Sequence, residues 1–398
     1  METFSFEARG RRYTVATEAL GTAISNPNSV VGYWLYQPSV LLPSPVTNNQ
    51  HVLVINRNRF NGNPQLGQAI YRYTSATPTN FGNEWKLLEN NSVDNICDMI
   101  CARPIWDGSL WHVYVQAREG DLSTCCTCGG NILANIYEAV GPSLDPPTVL
   151  EWVKVPGTNS AKPIISGTGD RGIGEEMQWY NPSRYGLSNF PFMVTYNDWG
   201  CASIALCAQD VFNYISQDDV TYSYWYGPEP KALMPPPFSD PTYSFGLIWP
   251  DGILLGDLDV ARLGVPGIGF SSQCFNTDRR YQYCYGIGFF NNPTKVPHTS
   301  PQTSSAHVGA LEAWGQPVPP DPIGPRMFRP KVARNEYGYI PPRSYHGYPR
   351  TWETYLYYTY TQIEENPSSS CNGYSAWDDV VQSIGVSRLT ITEEATHR

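Results

Sequence analysis

Residues 101–117 read CARPIWDGSLWHVYVQA, and this order of residue types is typical of two antiparallel strands joined by a tight turn. An arginine–proline pair opens the stretch, an aspartate–glycine pair supplies the turn, and apolar and polar residues then alternate. We therefore predict that this stretch forms the inner half of a β-sheet. Recurrence of the same unit along the chain would indicate a repeat fold.

A residue followed by proline recurs ahead of five strand-like segments. Successive pairs lie roughly 65 to 80 residues apart, and several units end near a tryptophan, as in GNEWKLL and YSYWYG. A unit of this length with four antiparallel strands is typical of one blade of a β-propeller. The five pairs are Gln37-Pro38, Arg103-Pro104, Asn181-Pro182, Trp249-Pro250 and Arg329-Pro330.

We predict an all-β fold, a five-bladed β-propeller with a central axial funnel, that occupies residues 1–398 as one domain. The alternative is a protein of two β-sandwich domains in which the proline pairs are coincidental. Residues 1–29 are predicted to supply a closing strand or a cap. The predicted blades span approximately residues 30–95, 96–160, 161–235, 236–310 and 311–392.

The composition favours strands and argues against several kinds of partner. Aromatic residues make up 13% of the 398 residues and charged residues only 16%, a balance that suits half-buried pleated sheets. The net charge of −10 argues against a surface that binds phosphates. No apolar run is long enough for a membrane-spanning helix. We expect a small-molecule partner, no nucleic acid, no membrane and no cofactor. No metal ligands are assigned, and both the presence of a metal ion at the axis and the oligomeric state are left open.

The ten cysteines allow disulfides, thiols or a zinc site. The CCTC cluster at residues 125–128 has poor spacing for tetrahedral zinc, and disulfides are favoured over thiols. Cys201 with Cys207, and Cys274 with Cys284, could bridge neighbouring strands. The first residues, METFSFEARGRRY, have no apolar signal-peptide core. The favoured disulfides point to a secreted or secretory-pathway protein, and we expect that its signal peptide is absent from this sequence or already removed.

The layout of proline pairs and strands resembles that of the five-bladed propeller glycosidases, such as arabinanases and β-xylosidases. This resemblance implies that the residue before each proline points into the axial funnel. It also implies that aspartates at some of these positions serve as the base and as the acid that tunes a pKa. A glutamate from the third blade would be the general acid.

None of the five residues that precede the prolines carries a carboxylate, although glycoside hydrolysis needs two. If the residue before each proline points into the funnel, the funnel is lined by two guanidinium groups, two carboxamides and an indole. They belong to Gln37, Arg103, Asn181, Trp249 and Arg329. Residues beside these positions, and one histidine in a loop, are further candidates to line the site: Tyr36, Trp179, Tyr180, Phe328 and His346.

These residue types favour a non-hydrolytic enzyme that binds an oxygenated apolar molecule and promotes its dehydration and cyclisation. Arginine offers a fixed fork of donors that can stabilise negative charge developing on oxygen. Arg103, Arg329 and Asn181 are the catalytic candidates, and Gln37 and Trp249 would orient the substrate.

The architecture, length and aromatic content are also similar to those of the fungal hetero-Diels–Alderases of tropolonic sesquiterpene biosynthesis. That resemblance implies loss of water to give a quinone methide, followed by cycloaddition to an alkene. Arg103 and Arg329 would then polarise the tropolone oxygens, and holding both reactants in one geometry would supply most of the rate gain.

Two alternatives belong to other classes. One is a glycoside hydrolase whose carboxylates are displaced from the proline pairs, with Glu176 and Asp98 as the acids. The other is a non-catalytic propeller that binds carbohydrate through its many tryptophans and tyrosines. The residues before the five prolines differ from one another, which favours one asymmetric axial site over repeated sugar sites.

Overall fold

The computed structural model of the chain describes rather less than three fifths of the sequence, in nineteen stretches. They are residues 2–8, 11–25, 33–59, 69–89, 96–119, 134–165, 172–181, 192–200, 208–216, 222–224, 239–240, 243–244, 248–253, 267–275, 281–288, 314–315, 327–343, 349–361 and 382–395. The structural statements below concern these residues.

Antiparallel β-sheets make up the described chain, and we number their strands β1 to β24 in chain order. An N-terminal hairpin consists of β1 (Glu2–Ala8) and β2 (Arg11–Ile24). The first sheet contains β3 (Tyr33–Leu41), β4 (His51–Arg59), β5 (Ala69–Ser75) and β6 (Gly82–Glu89). The second sheet contains β7 (Ile96–Trp106), β8 (Trp111–Glu119), β9 (Ala134–Gly141), β10 (Glu151–Trp152) and β11 (Pro163–Ile165), with both short strands paired to β9.

The later part of the chain forms three further large sheets. The third sheet contains β12 (Gly172–Tyr180), β13 (Phe192–Gly200), β14 (Ala208–Ser216) and β15 (Tyr222–Tyr224), and a separate pair consists of β16 (Ser239–Asp240) and β17 (Tyr243–Ser244). The fourth sheet contains β18 (Ile248–Ile253), β19 (Gly267–Phe275), β20 (Tyr281–Gly288) and β21 (Trp314–Gly315). The fifth contains β22 (Met327–Val332), β23 (Arg350–Thr361) and β24 (Gln382–Ala395), with β2 and β1 added beyond β24.

The predicted all-β class is confirmed for the described residues. Their one helical segment is a single 3₁₀ turn at Pro45–Thr47. No helix in this part of the chain has the length and hydropathy needed to cross a membrane. The strands depart slightly from the predicted units, because β11 pairs with the second sheet and β21, beyond residue 310, pairs with the fourth.

The first strand of each large sheet contacts the first strand of the next, and we call these five the leading strands. β3 contacts β7, β7 contacts β12, β12 contacts β18, β18 contacts β22, and β22 contacts β3. The order of contacts therefore returns to its starting point.

Alternation along β4 builds two apolar cores, one on each face of the first sheet. Val52 and Val54 pack in a cluster with residues of the second sheet. Leu53 and Ile55 pack in another cluster with residues of the fifth sheet and of β2. A side-chain period of two is what a strand buried on both faces requires.

A short segment after β22 crosses the ends of three leading strands, and we call residues 333–340 the strap. The backbone N–H of Leu42 donates to the Arg334 carbonyl at 2.6 Å, and that of Trp106 donates to the Glu336 carbonyl at 2.7 Å. The N–H of Asn181 donates to the Tyr337 carbonyl at 3.0 Å. The strap therefore fixes the C-terminal ends of β3, β7 and β12 to one another.

Candidate functional site

Three leading strands carry a β-bulge at the same depth, where two residues lie opposite one residue of the neighbouring strand. In the first sheet Tyr36 lies opposite Asn56 and Ser39 lies opposite Val54. Gln37 and Pro38 therefore lie opposite the single residue between them in β4. The corresponding residues are Cys101 and Ala102 in the second sheet and Arg329 and Pro330 in the fifth. Bulges re-aim side chains and are common next to active sites.

The third leading strand has a wider bulge that contains two glutamates. Ile173 lies opposite Asp198 and Met177 lies opposite Tyr196, so that residues 174–176 occupy the length of one partner residue. This irregularity holds Glu175 and Glu176. The fourth leading strand pairs regularly from Ile248 to Ile253, with no bulge in the described register.

Three leading strands can also be aligned by counting residues back from the point where each strand binds the strap. The N–H groups of Leu42, Trp106 and Asn181 all bind strap carbonyls. Five residues before each of them stand Gln37, Cys101 and Glu176. Glu176 therefore occupies the position in the third leading strand that Gln37 occupies in the first.

The predicted equivalence of the five proline pairs is wrong in the second and third sheets. In the third sheet Asn181 corresponds to Leu42, because both donate to the strap. In the second sheet Arg103 is the first residue after its bulge, so it corresponds to Ser39 and Lys331 and not to Gln37 and Arg329. The cause is that the bulge, and not the proline, marks the repeated position, and in β7 the bulge holds a cysteine and an alanine. The predicted site residues did not include Ser39 and Lys331, which are buried and directly follow an X-Pro pair.

Arg103 is buried, with 1% of its surface exposed. Its Nη1 donates to the Ala102 carbonyl at 3.0 Å, and the guanidinium makes further interactions. Arg103 lies opposite Tyr114 in the sheet register. It therefore shares the face of the second sheet that carries Tyr114, whereas Val113 and Val115 pack toward the first sheet.

A buried histidine between two carboxylates lies on the same face. His112 Nδ1 is hydrogen-bonded to Glu138, and its Nε2 lies 3.1 Å from Asp107 Oδ2. Burial acts to raise the pKa of Asp107, but the N–H groups of Leu110 and Ser109 and the His112 ring outweigh it and hold that pKa below its ordinary value. With both ring nitrogens engaged, His112 is a structural residue.

Asn181 also has a structural role. It is buried, its N–H binds the strap, and its Nδ2 donates to the Trp106 carbonyl at 3.5 Å. These contacts link β12 to the end of β7 at the strap.

The other predicted site residues are described only through their backbone, or not at all. Their side chains lie outside the described part of the structure; these are Tyr36 and Gln37 in β3, Asp98 in β7, Glu176, Trp179 and Tyr180 in β12, Trp249 in β18, and Phe328 and Arg329 in β22. His346 lies outside the described residues altogether.

The cysteines give little support to the predicted disulfides. Cys101 is a buried thiol in the left-handed backbone region, with φ of 56°, a conformation that is uncommon for residues other than glycine. Cys274 lies opposite Gln282 and Cys284 opposite Ser272. That diagonal relation separates the two Cα atoms by more than a disulfide spans. Residues 125–128, Cys201 and Cys207 lie outside the described residues.

Comparisons with known proteins identify the fold but no family. No protein-family model matches the chain, and no curated protein matches it. A solved structure of BT0996, described as an RGII complex, is 13% identical with a TM-score of 0.54, over 93% of this chain and 91% of that one. A structure described as "Glycoside hydrolase" gives the same values.

A third structure is that of sucrose-6-phosphate hydrolase from Lactobacillus gasseri. It is 9% identical with a TM-score of 0.52, over 92% of this chain and 59% of that one. Identity this low shows the fold alone. The chain has the fold of the β-propeller glycoside hydrolases. Its chemistry has to be argued from its own residues.

Proposed function

We propose that the five large sheets are the five blades of one β-propeller and that the leading strands surround a central axial funnel. The closed order of contacts among β3, β7, β12, β18 and β22 supports this arrangement. The addition of β2 to β24 supports a closure of the ring by the N-terminal segment. The strap would then block one end of the axis and leave the other end as the mouth.

We further propose that the protein is an enzyme that cleaves glycosidic bonds in this funnel. The observation that carries the proposal is the position of Glu176 in the wide bulge of β12: it stands five residues before the strap-bonded Asn181, as Gln37 stands five residues before Leu42. A glutamate on the third leading strand is the general acid that the resemblance to propeller glycosidases implies. Glu176 takes that role because it matches Gln37 in distance from the strap.

The second carboxylate that hydrolysis needs would come from Asp98. Asp98 lies in the half of β7 that is farther from the strap, which is the side of the proposed mouth. Glu176 would donate a proton to the departing glycosidic oxygen while Asp98 accepts a proton from the attacking water. Gln37 and Arg329, from the bulges of β3 and β22, would bind sugar hydroxyls, and Trp249 would stack on the ring.

Aryl glycosides of both anomeric configurations test this function. We expect release of the aryl alcohol from one configuration, and a loss of at least about 10²-fold in kcat/KM for Glu176→Gln and for Asp98→Asn. Glu151→Gln, an exposed carboxylate on β10, is the matched control and should leave the rate unchanged. Absence of release by the unaltered protein, or full activity of Glu176→Gln, contradicts the proposal.

A second function is favoured by one specific observation: the bulges of the first two leading strands carry Gln37 and Cys101 in place of carboxylates. A single acid suffices to expel water from a hydroxymethyl group. The hydroxyl takes the proton of Glu176, its C–O bond breaks and water leaves, and a ring hydroxyl returns a proton to the Glu176 carboxylate, which gives the quinone methide. Arg329 would stabilise charge on the ring oxygen, and the funnel would hold the alkene for cycloaddition.

A hydroxymethyl tropolone mixed with a cyclic alkene tests this second function. We expect cycloadduct formation by the unaltered protein and its loss in Glu176→Gln and Arg329→Met, with no release from aryl glycosides. Equal product with and without the protein contradicts it.

A further inference from the structure

The second strand of three large sheets carries a buried polar residue at the same register position. Each of these residues lies opposite the residue that directly precedes the bulge of the leading strand. They are Asn56 in β4, Gln116 in β8 and Thr359 in β23, and no more than 2% of the surface of any of them is exposed. Because a buried polar group is retained where a partner satisfies it, this repeated position needs hydrogen-bond partners inside the protein.

Thr359 shows what the repeated position does in the fifth sheet. Its hydroxyl donates to the Leu35 carbonyl at 3.0 Å. Leu35 lies in β3, two residues before the first bulge residue, Gln37. The hydroxyl therefore joins the second strand of one sheet to the leading strand of the sheet that follows it in the order of contacts.

Asn56 holds the same position between the first and second sheets. It shares a strand face with Val54, two residues away, and Val54 packs in the apolar cluster that contains Met99 of β7. Met99 lies two residues before the bulge of its strand, which is the position that Leu35 holds in β3. The Met99 carbonyl therefore corresponds to the carbonyl that accepts the hydrogen bond of Thr359.

The carboxamide of Asn56 has no hydrogen-bond partner among the described residues. Its Oδ1 and its Nδ2 are both buried and unbonded. Its neighbours on the same face, Val54 in β4 and Ile70 opposite it in β5, are apolar. A buried polar atom without a partner destabilises the folded state. Asn56 therefore needs a partner that accepts from Nδ2 and donates to Oδ1.

The chemistry of the carboxamide restricts what this partner can be. A cation is repelled by the Nδ2 hydrogens, an anion is repelled by Oδ1, and an apolar group leaves both atoms unsatisfied. A hydroxyl group or a water molecule both donates and accepts. Since only 1% of the Asn56 surface is exposed, the partner has to be small and enclosed, which favours water.

We propose that one internal water molecule is bound between the first and second sheets by Asn56 and the Met99 carbonyl. The water accepts a hydrogen bond from Nδ2 and donates one to Oδ1 and one to the Met99 carbonyl, which gives it the three bonds that are usual for buried water. A carbonyl oxygen accepts two hydrogen bonds, so this contact is compatible with a second partner of Met99. The water joins β4 to β7 as the Thr359 hydroxyl joins β23 to β3, and the inference is independent of the proposed function.

Electron density of the whole unliganded protein, at a resolution that shows ordered water, tests the site. We expect a peak about 2.7–3.2 Å from Oδ1 and Nδ2 of Asn56 and from the Met99 carbonyl oxygen. The equivalent place beside Thr359 is the internal control and should contain no water, because that hydroxyl reaches the Leu35 carbonyl directly. Absence of the peak at Asn56, or a side chain or a crystallisation polyol in its place, overturns the proposal.

Asn56→Leu tests the site in solution, because leucine has a similar shape and neither polar atom. Loss of the bound water should lower the urea midpoint. A midpoint that stays unchanged or rises overturns the proposal, since it is the result expected when an unsatisfied amide is removed. Thr359→Val is the matched control, which removes a direct hydrogen bond at the repeated position and should also lower the midpoint. If Asn56→Leu does not fold, the density at Asn56 in the unaltered protein decides.

Discussion

His51 shows how burial of one side chain makes the fold sensitive to pH. It begins β4, and its ring packs edge to face against Tyr355 at 5.4 Å and Phe81 at 6.5 Å between centroids. It is buried, and no described residue binds its Nδ1. Burial away from water lowers the pKa of His51 from 6.5 to about 4. The unfolded chain therefore binds a proton at a pH where the folded chain does not.

Stability should consequently fall as the pH decreases from about 6.5 to about 4. The unfolded state carries the extra proton throughout that window, so the free energy of unfolding drops by roughly 2 kcal/mol across it. Urea unfolding at several pH values measures this loss. In His51→Phe, which keeps an aromatic ring between Tyr355 and Phe81, this part of the pH dependence should disappear. An unchanged slope in that variant would refute the assignment to His51.

The strap shows how an element without regular secondary structure orders its neighbours. Asn335 accepts hydrogen bonds at its Oδ1 from the N–H groups of Tyr337 at 3.1 Å and Tyr339 at 3.0 Å. Its N–H donates to the Tyr339 carbonyl at 2.8 Å. Gly338 turns the chain with φ of 85°, a conformation that glycine adopts at little cost. One side chain and one glycine thus shape the segment that joins three leading strands.

Asn335→Ala should destabilise the protein by about 1–2 kcal/mol, because two half-buried N–H groups lose their acceptor. Asn335→Asp keeps an acceptor oxygen and should lose much less. Chemical denaturation gives both values, and limited proteolysis should cut Asn335→Ala faster near the strap. Equal stability of the two variants would mean that the acceptor at Oδ1 does not hold the strap together.

At the scale of the whole molecule, the two ends of the chain meet in one sheet. Strand β2 pairs with β24 along most of its length. Glu393, buried in β24, accepts hydrogen bonds from Arg11 Nη1 at 2.6 Å and from Tyr13 Oη at 2.5 Å. A charged network therefore fastens the N-terminal segment to the last strand of the chain.

Glu393→Gln should lower the free energy of unfolding by about 1–3 kcal/mol, because the buried Glu393 would no longer accept charge-assisted hydrogen bonds from Arg11 and Tyr13. Glu18→Gln is the matched control in the same strand pair. Glu18 pairs with Arg388 at 2.9 Å with both side chains partly exposed, and such a pair contributes less than about 1 kcal/mol. Comparable losses in the two variants, measured by thermal and urea unfolding, would contradict this account of the chain ends.

The fold class was predictable from local residue types alone. Strand length, a side-chain period of two and regularly spaced turns follow from local residue types, so the alternation that begins in WHVYVQA was enough to predict β8. In β3 and β22 the X-Pro pairs coincide with bulges that were not predicted, since proline is tolerated where a strand loses a ladder hydrogen bond.

The residues that share one depth along the leading strands could not be predicted in this way, because long-range packing sets the register. A bulge shifts the register by one residue and leaves no fixed residue type behind, so Cys101 and Glu176 could not be aligned with Gln37 from the sequence. The same holds for Arg103, whose burial against the next sheet depends on contacts between residues far apart in the chain. Local patterns specify strands, whereas long-range packing decides which side chains meet.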